Sequence, residues 1–85
     1  MTDAEFDILD ELYFVTPFAE LLAAAEIEKE ALGKTLVSLY EKGWLRVYSE
    51  RDTEIKPESE DLHRNLEHYL FLASKEGLMA HNLGE

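Results

Sequence analysis

The sequence predicts a single α+β domain: a three-helix core, a β-hairpin against it, and a short C-terminal helix. Three observations carry that expectation. Apolar residues recur at a helical period through residues 1–42, the pattern turns to alternation directly after Gly43, and a second β-type run appears at 69–73. The chain has 85 residues, which suits one domain, since two would each have too small a core.

The first helix starts at once. Thr2 and Glu5 have the capping-box spacing, each side chain accepting from the other's backbone N–H. Phe6, Leu9, Leu12 and Tyr13 then recur at helical spacing, with Asp3, Asp7, Asp10 and Glu11 on the opposite face. Thr16-Pro17 predicts the next start, with Thr16 as N-cap and Pro17 at the first helical position, where no N–H is needed. This second helix carries Phe18, Leu21, Leu22 and Ala25. After a short turn at Glu26–Ile27, a third aligns Ala31, Leu32, Leu36, Leu39 and Tyr40, and Gly43 stops it.

Trp44–Tyr48 alternates and reads as a strand. Tyr69–Ala73 is apolar on both faces, a second strand expected to be covered on both. Between them lies a long polar loop over 49–67, too long for a plain hairpin, implying either a flexible loop or a short extra helix. Pro57, Ser59 and the Leu62/Leu66 pair place such a helical turn near 59–67. Ser74-Lys75-Glu76 opens a last helix with Leu78, Met79 and Leu83 expected to face inward.

Nineteen acidic residues against eight basic ones give a formal charge of −11, and an apolar fraction of 46% argues against disorder. The charge is uneven: residues 1–30 carry nine acids and one base, Lys29. Such a chain repels phosphate backbones and anionic membranes. The absence of cysteine excludes disulfides and thiolate metal sites. No apolar stretch reaches the ~20 residues that span a bilayer, and acidic Met1–Asp10 lacks the features of a secretory leader. A soluble cytoplasmic protein is the default expectation.

The order helix, helix, helix, strand, long connection, strand, helix resembles the winged helix-turn-helix of bacterial transcription regulators. The stretch Leu21–Leu45, LLAAAEIEKEALGKTLVSLYEKGWL, lies without a gap on the family's pattern, with a helix-turn-helix at about 17–42 and a wing at about 44–73. Leu21 and Ala24 take buried positions of the first helix, Ile27 the apolar turn position, and Glu41-Lys42-Gly43 the stop. YLFLASKEGLMAH (Tyr69–His81) is similar to the family's second wing strand and following helix, with Ser74 and Gly77 at the places of its T-x-x-G. The resemblance covers roughly residues 4–48 and 69–82. It implies a winged-helix fold, with helix 28–42 as recognition helix, Lys29, Glu30, Lys34 and Ser38 on its surface, and Arg46, Arg51 and Lys56 as wing contacts.

The chain also departs from that pattern. Glu26 stands where the family often uses glycine, and Glu28 where it uses a Ser or Thr cap. Along the recognition surface Lys29 and Lys34 cancel Glu28 and Glu30, and there is no Arg, Asn or Gln to read base edges. The wing's cations, Arg64 among them, are outnumbered by Asp52, Glu54, Glu58, Glu60 and Asp61, as in a solvated loop. The resulting expectation is a non-enzymatic protein of the transcription-regulator type that works through a protein partner or as a small regulatory subunit. The alternative is a sequence-specific DNA-binding regulator using helix 28–42 and the wing.

The acidic stripe Asp3, Asp7, Asp10 and Glu11 reads as the wet face of a helix, or as a surface that mimics DNA, holds a divalent ion or docks on a basic partner. It lacks the loop of a calcium site. His63 and Glu67 are four apart, but His68 and His81 are not at matching spacings, so no metal is expected. No nucleophile, phosphate cradle or cofactor motif is recognisable, so no cofactor and no enzymatic activity are expected. Asp7, Asp10, Glu11 and Phe14 form the candidate partner surface. Winged-helix regulators usually dimerise through added terminal helices, and none is expected here. The chain is therefore predicted to be a monomer, or a weak dimer through the Phe14 end with the acidic stripes splayed apart. In sedimentation across a concentration series, Phe14→Asp is expected to abolish any dimer and leave a folded monomer; a tight dimer persisting in the variant would place the contact elsewhere.

Overall fold

In the computed structural model, which describes residues 2–83, the chain forms five α-helices and a four-stranded antiparallel sheet. The order is α1 (Asp3–Asp10), β1 (Thr16–Pro17), α2 (Phe18–Ala25), α3 (Lys29–Glu41), β2 (Leu45–Glu50), β3 (Thr53–Ile55), α4 (Ser59–Arg64), a 3₁₀ turn (Leu66–His68), β4 (Leu70–Ala73) and α5 (Lys75–Asn82). The two predicted strands pair: Leu45 lies opposite Ala73, Val47 opposite Phe71 and Tyr48 opposite Leu70. The sheet order is β1-β4-β2-β3.

The capping box of α1 forms as expected, with Thr2 N donating to Glu5 Oε1 at 2.9 Å and Glu5 N to Thr2 Oγ1 at 3.1 Å. The buried face of α1 is Glu5, Ile8, Leu9 and Leu12, at i, i+3, i+4 and i+7. Phe6 and Tyr13, expected on that face, are exposed. Leu32, Leu36 and Leu39 of α3 meet Ile8, Leu9, Leu21, Val47 and Phe71 in one core. Ala24, expected to be buried, is exposed on α2, whose inward residues are Phe18 and Leu21.

Thr16 is not a helix cap. Thr16-Pro17 is the short strand β1, paired with Phe71 and Leu70, and Pro17 in extended backbone is itself the N-cap position of α2. The Thr16 hydroxyl donates to the Phe14 carbonyl at 2.8 Å. Proline suits this place because it is an edge of the sheet, where a missing N–H costs nothing.

The long polar loop expected over 49–67 is also corrected. Tyr48 and Glu50 pair with Glu54 and Thr53 across a tight turn at Arg51-Asp52, with a register irregularity before it, so the hairpin is β2–β3. The rest of the segment folds into α4 and the 3₁₀ turn, the short extra helix named as the alternative near 59–67. Leu62 of α4 and Leu66 of the 3₁₀ turn explain it: both are buried, on either side of the break at Asn65, while Glu60, Asp61, His63, Arg64 and Glu67 stay exposed.

Two backbone positions decide the corners. Glu26 ends α2 in the left-handed region at φ 54°, the conformation for which glycine is suited. Gly77 begins the turn of α5 against β2: Ser74 caps that helix by accepting from Gly77 N at 3.1 Å, and Ser74 N donates to Trp44 O at 2.9 Å. A Cβ at Gly77 would lie 2.3 Å from Trp44 O. Met79 and Leu83, expected inward on α5, are exposed, because Gly77 and Ala80 are the inward residues.

The two corners predict opposite outcomes in urea denaturation. Gly77→Ala is expected to lose about 2–3 kcal/mol, since the clash is with backbone that cannot move aside. Glu26→Gly is expected to gain about 0.5 kcal/mol, left-handed strain of about 1 kcal/mol being relieved against the added freedom of the unfolded chain.

Candidate functional site

The surface of α3 is where the family resemblance would put base recognition, and its side chains are already engaged. Lys29 pairs with Glu67 from the 3₁₀ turn. Lys34 pairs with Glu30 one turn back on its own helix at 3.5 Å. Ser38 does not stand free at the edge: its hydroxyl donates to Glu5 Oε2 of α1 at 3.0 Å.

The next turn joins the same cluster. Lys42 Nζ lies 2.7 Å from Glu5 Oε2 and 5.0 Å from the centroid of the Trp44 ring. Glu5 is only 3% exposed. Burial by itself pushes its carboxyl up, but hydrogen bonds from the Lys42 ammonium, the Thr2 N–H and the Ser38 hydroxyl outweigh that and hold it at about 2. This ion pair, buried on its Glu5 side, is a clamp between α1 and the end of α3. It was missed in the sequence because Glu5 reads there as an N-terminal capping residue. The available signal was its spacing to Ile8, Leu9 and Leu12, which puts a carboxylate on the buried stripe.

A second cover comes from residues 57–68. α4 packs on α3, and the 3₁₀ turn packs on α2. Leu66 Cδ1 would lie 2.9 Å from a Cβ at Gly33, so glycine there lets the two segments approach closely. The Tyr40 hydroxyl donates to the Pro57 carbonyl, tying the segment's start to α3. Burial first, then the charge of Glu54, pushes the Tyr40 phenol up. The surface of α3 that stays open holds Lys29, Glu30, Ala31, Lys34 and Glu41, two bases against two acids.

The candidate wing contacts are placed differently. Arg46, Arg51 and Lys56 are all exposed on or beside the β2–β3 hairpin, and among the described residues none has a carboxylate within 4 Å. Hydrogen bonding to Tyr48 and then the charge of Glu54 raise the Arg46 guanidinium further. Arg51 reaches back to the Val15 carbonyl at 3.4 Å. Arg64 sits 3.7 Å from Glu60.

The candidate partner surface is open to water. Asp7, Asp10, Glu11 and Phe14 are all exposed. Asp10 Oδ1 lies 3.5 Å from His81 Nε2 of α5, and His81 is held between Phe6 and Tyr13. Among the described residues, no helix is long and apolar enough to cross a membrane, and no group of three or more His, Cys, Asp or Glu is placed to hold a metal ion. No protein-family model matches the chain, and comparison with curated proteins and with solved structures finds no match.

The Glu5 clamp predicts a pH dependence with a definite sign. The carboxyl is held below its ordinary value of 4.5, so its stabilisation is complete above that pH and is lost as pH falls from there through about 2. Because Lys42 is 41% exposed and water screens it, the contribution is on the order of 2 kcal/mol. The unfolding free energy of Glu5→Gln from urea titration is expected to be lower by that amount at neutral pH and to vary less than that of the native chain between about pH 5 and 2, bounds set by the two carboxyl values.

Proposed function

We propose that the chain is a non-enzymatic domain of the winged helix-turn-helix type that acts through a protein partner, as an adaptor or small regulatory subunit, rather than by gripping duplex DNA. The element order supports the scaffold part of this reading: two closely coupled helices, α2 and α3, precede a hairpin, and α5 opens on Ser74 and Gly77 at the places of the family's motif. The observation that carries the functional part is the state of α3. Its lysines are paired with Glu67 and Glu30, its Ser38 is bound to Glu5, and its Gly33 side lies under Leu66. A helix so covered has few free donors for base edges, and a chain of charge −11 supplies little phosphate neutralisation.

One observation favours the second reading, a DNA-binding regulator. Among the described residues, Arg46, Arg51 and Lys56 are exposed cations with no carboxylate within 4 Å, on the hairpin that the resemblance makes a wing. They concern phosphate contact, which positions a protein on DNA without reading sequence.

Electrophoretic shift and fluorescence anisotropy with a random duplex at ~150 mM salt separate the two readings. No complex tighter than about 1 μM is expected, since phosphate attraction alone typically gives ~100 to 1 μM. A tighter complex that is lost in the double variant Arg51→Ala/Lys56→Ala would overturn the protein-partner reading in favour of the wing.

A further inference from the structure

The described residues expose five large hydrophobic side chains: Phe6, Tyr13, Phe14, Met79 and Leu83. All five belong to α1, to the turn that follows it, or to α5 and its C-cap. Phe14, Leu83 and Met79 are 82%, 71% and 55% exposed. The two helices lie against each other: Phe6 stacks on His81 with ring centroids 4.2 Å apart, and the Tyr13 hydroxyl lies 3.0 Å from His81 Nδ1 and 3.3 Å from Asn82 Oδ1. Met79 and Leu83 are four residues apart and so lie on one side of α5. A concentration of exposed apolar side chains of this kind marks a contact surface.

Its electrostatic setting is as one-sided. Asp3, Phe6, Asp7 and Asp10 stand at i, i+3, i+4 and i+7, the face of α1 opposite its buried one. Across α1 and α5, Lys75 is the one lysine or arginine. The His81 side chain is nine-tenths buried, and among the described residues its Nε2 has no hydrogen-bond partner.

We infer that the α1–α5 face docks a cationic amphipathic helix of a protein partner, its apolar side chains seated on Phe6, Phe14 and Met79 and its lysines or arginines facing Asp3, Asp7 and Asp10. This rests on the protein-partner reading and adds the place and the chemistry of the partner. Charge complementarity selects the occupant. A second copy paired over this whole face about a two-fold axis would set the acidic stripe against itself, and one paired through Phe14 alone would leave the stripe uncovered; an anionic lipid surface would be repelled. A basic helix meets both halves of the surface, apolar centre and acidic border, in the helix-on-apolar-face mode of recognition.

The test uses a synthetic Leu/Lys amphipathic helix of about 18 residues, five turns, and a peptide of the same composition in scrambled order. Each is titrated into ¹⁵N-labelled protein at ~150 mM salt, and random duplex DNA is titrated in parallel. Amide shifts confined to α1, residues 11–15 and α5 are expected with the amphipathic peptide, with much weaker binding of the scrambled one. Met79→Glu adds negative charge while removing an apolar contact. It is expected to weaken binding about tenfold, a loss of ~1.4 kcal/mol, and Asp7→Lys by a similar factor. Equal binding of the scrambled peptide, unchanged or tighter binding by Met79→Glu, or a footprint on α3 would overturn the inference. Silence toward both peptide and DNA would overturn the inference alone, whereas a DNA footprint on α3 and the hairpin would overturn the protein-partner reading beneath it.

Discussion

The packing of Leu62 and Leu66 onto α3 is the contact from which the account of this domain follows. Each of the two leucines is buried, and together they turn a stretch that is otherwise polar into a helix and a 3₁₀ turn lying on α3 and α2. Gly33 makes the approach close, and Tyr40 fixes the start of the segment through the Pro57 carbonyl. Burying two leucines removes enough apolar surface from water for roughly 3–6 kcal/mol, a large part of what holds a small domain together. The same packing takes one side of α3 away from any ligand. Stability and function are therefore linked at this contact: the helix cannot be opened for recognition without giving up part of the core.

Charge is sorted by depth. Inside, the acid is compensated, with Glu5 meeting Lys42, Ser38 and the Thr2 N–H in one clamp between α1 and the end of α3. Outside, Asp3, Asp7 and Glu11 have no cation within ion-pair distance among the described residues, and Asp10 has only His81 nearby. The corner at Trp44, Ser74 and Gly77 seats α5 on the start of β2, and α5 then lies along α1. That seating is what brings His81 and Asn82 against Phe6 and Tyr13. The outer surface of α1 and α5 is thus a product of the sheet register, not of either helix alone.

Much of the fold was legible. The capping box at Thr2 and Glu5, the stop at Gly43 and the pairing of 44–48 with 69–73 follow from local patterns, and those patterns agree with the final packing. Glu26 was legible as a position suited to glycine, and it does adopt the left-handed conformation. The failures have physical causes. Thr16-Pro17 looks like a helix start and is a sheet edge, because the strand it pairs with lies more than fifty residues away and no local signal carries that information. Phe6, Tyr13, Met79 and Leu83 looked like core because periodicity counts apolar residues without knowing how much interior there is to receive them. Glu5 read only as a capping residue because carboxylates are seldom buried, and its partner Lys42, far along the chain, makes burial tolerable. At the candidate sites, the near-cancellation of charge along α3 was readable, but its covering by residues 57–68 was not.

The property on which the behaviour of this domain turns is that α4 is a permanent cover on α3 and not a flap. Native-state hydrogen exchange in low denaturant tests it directly at the Leu62 and Asn65 amides, which donate within this segment to the Glu58 and Asp61 carbonyls. The account predicts that they exchange only through global unfolding, with the same free energy and denaturant dependence as the core amides of α3. Exchange through a smaller local opening, with little denaturant dependence and α3 still protected, would show that the segment lifts off a folded domain and would contradict the account.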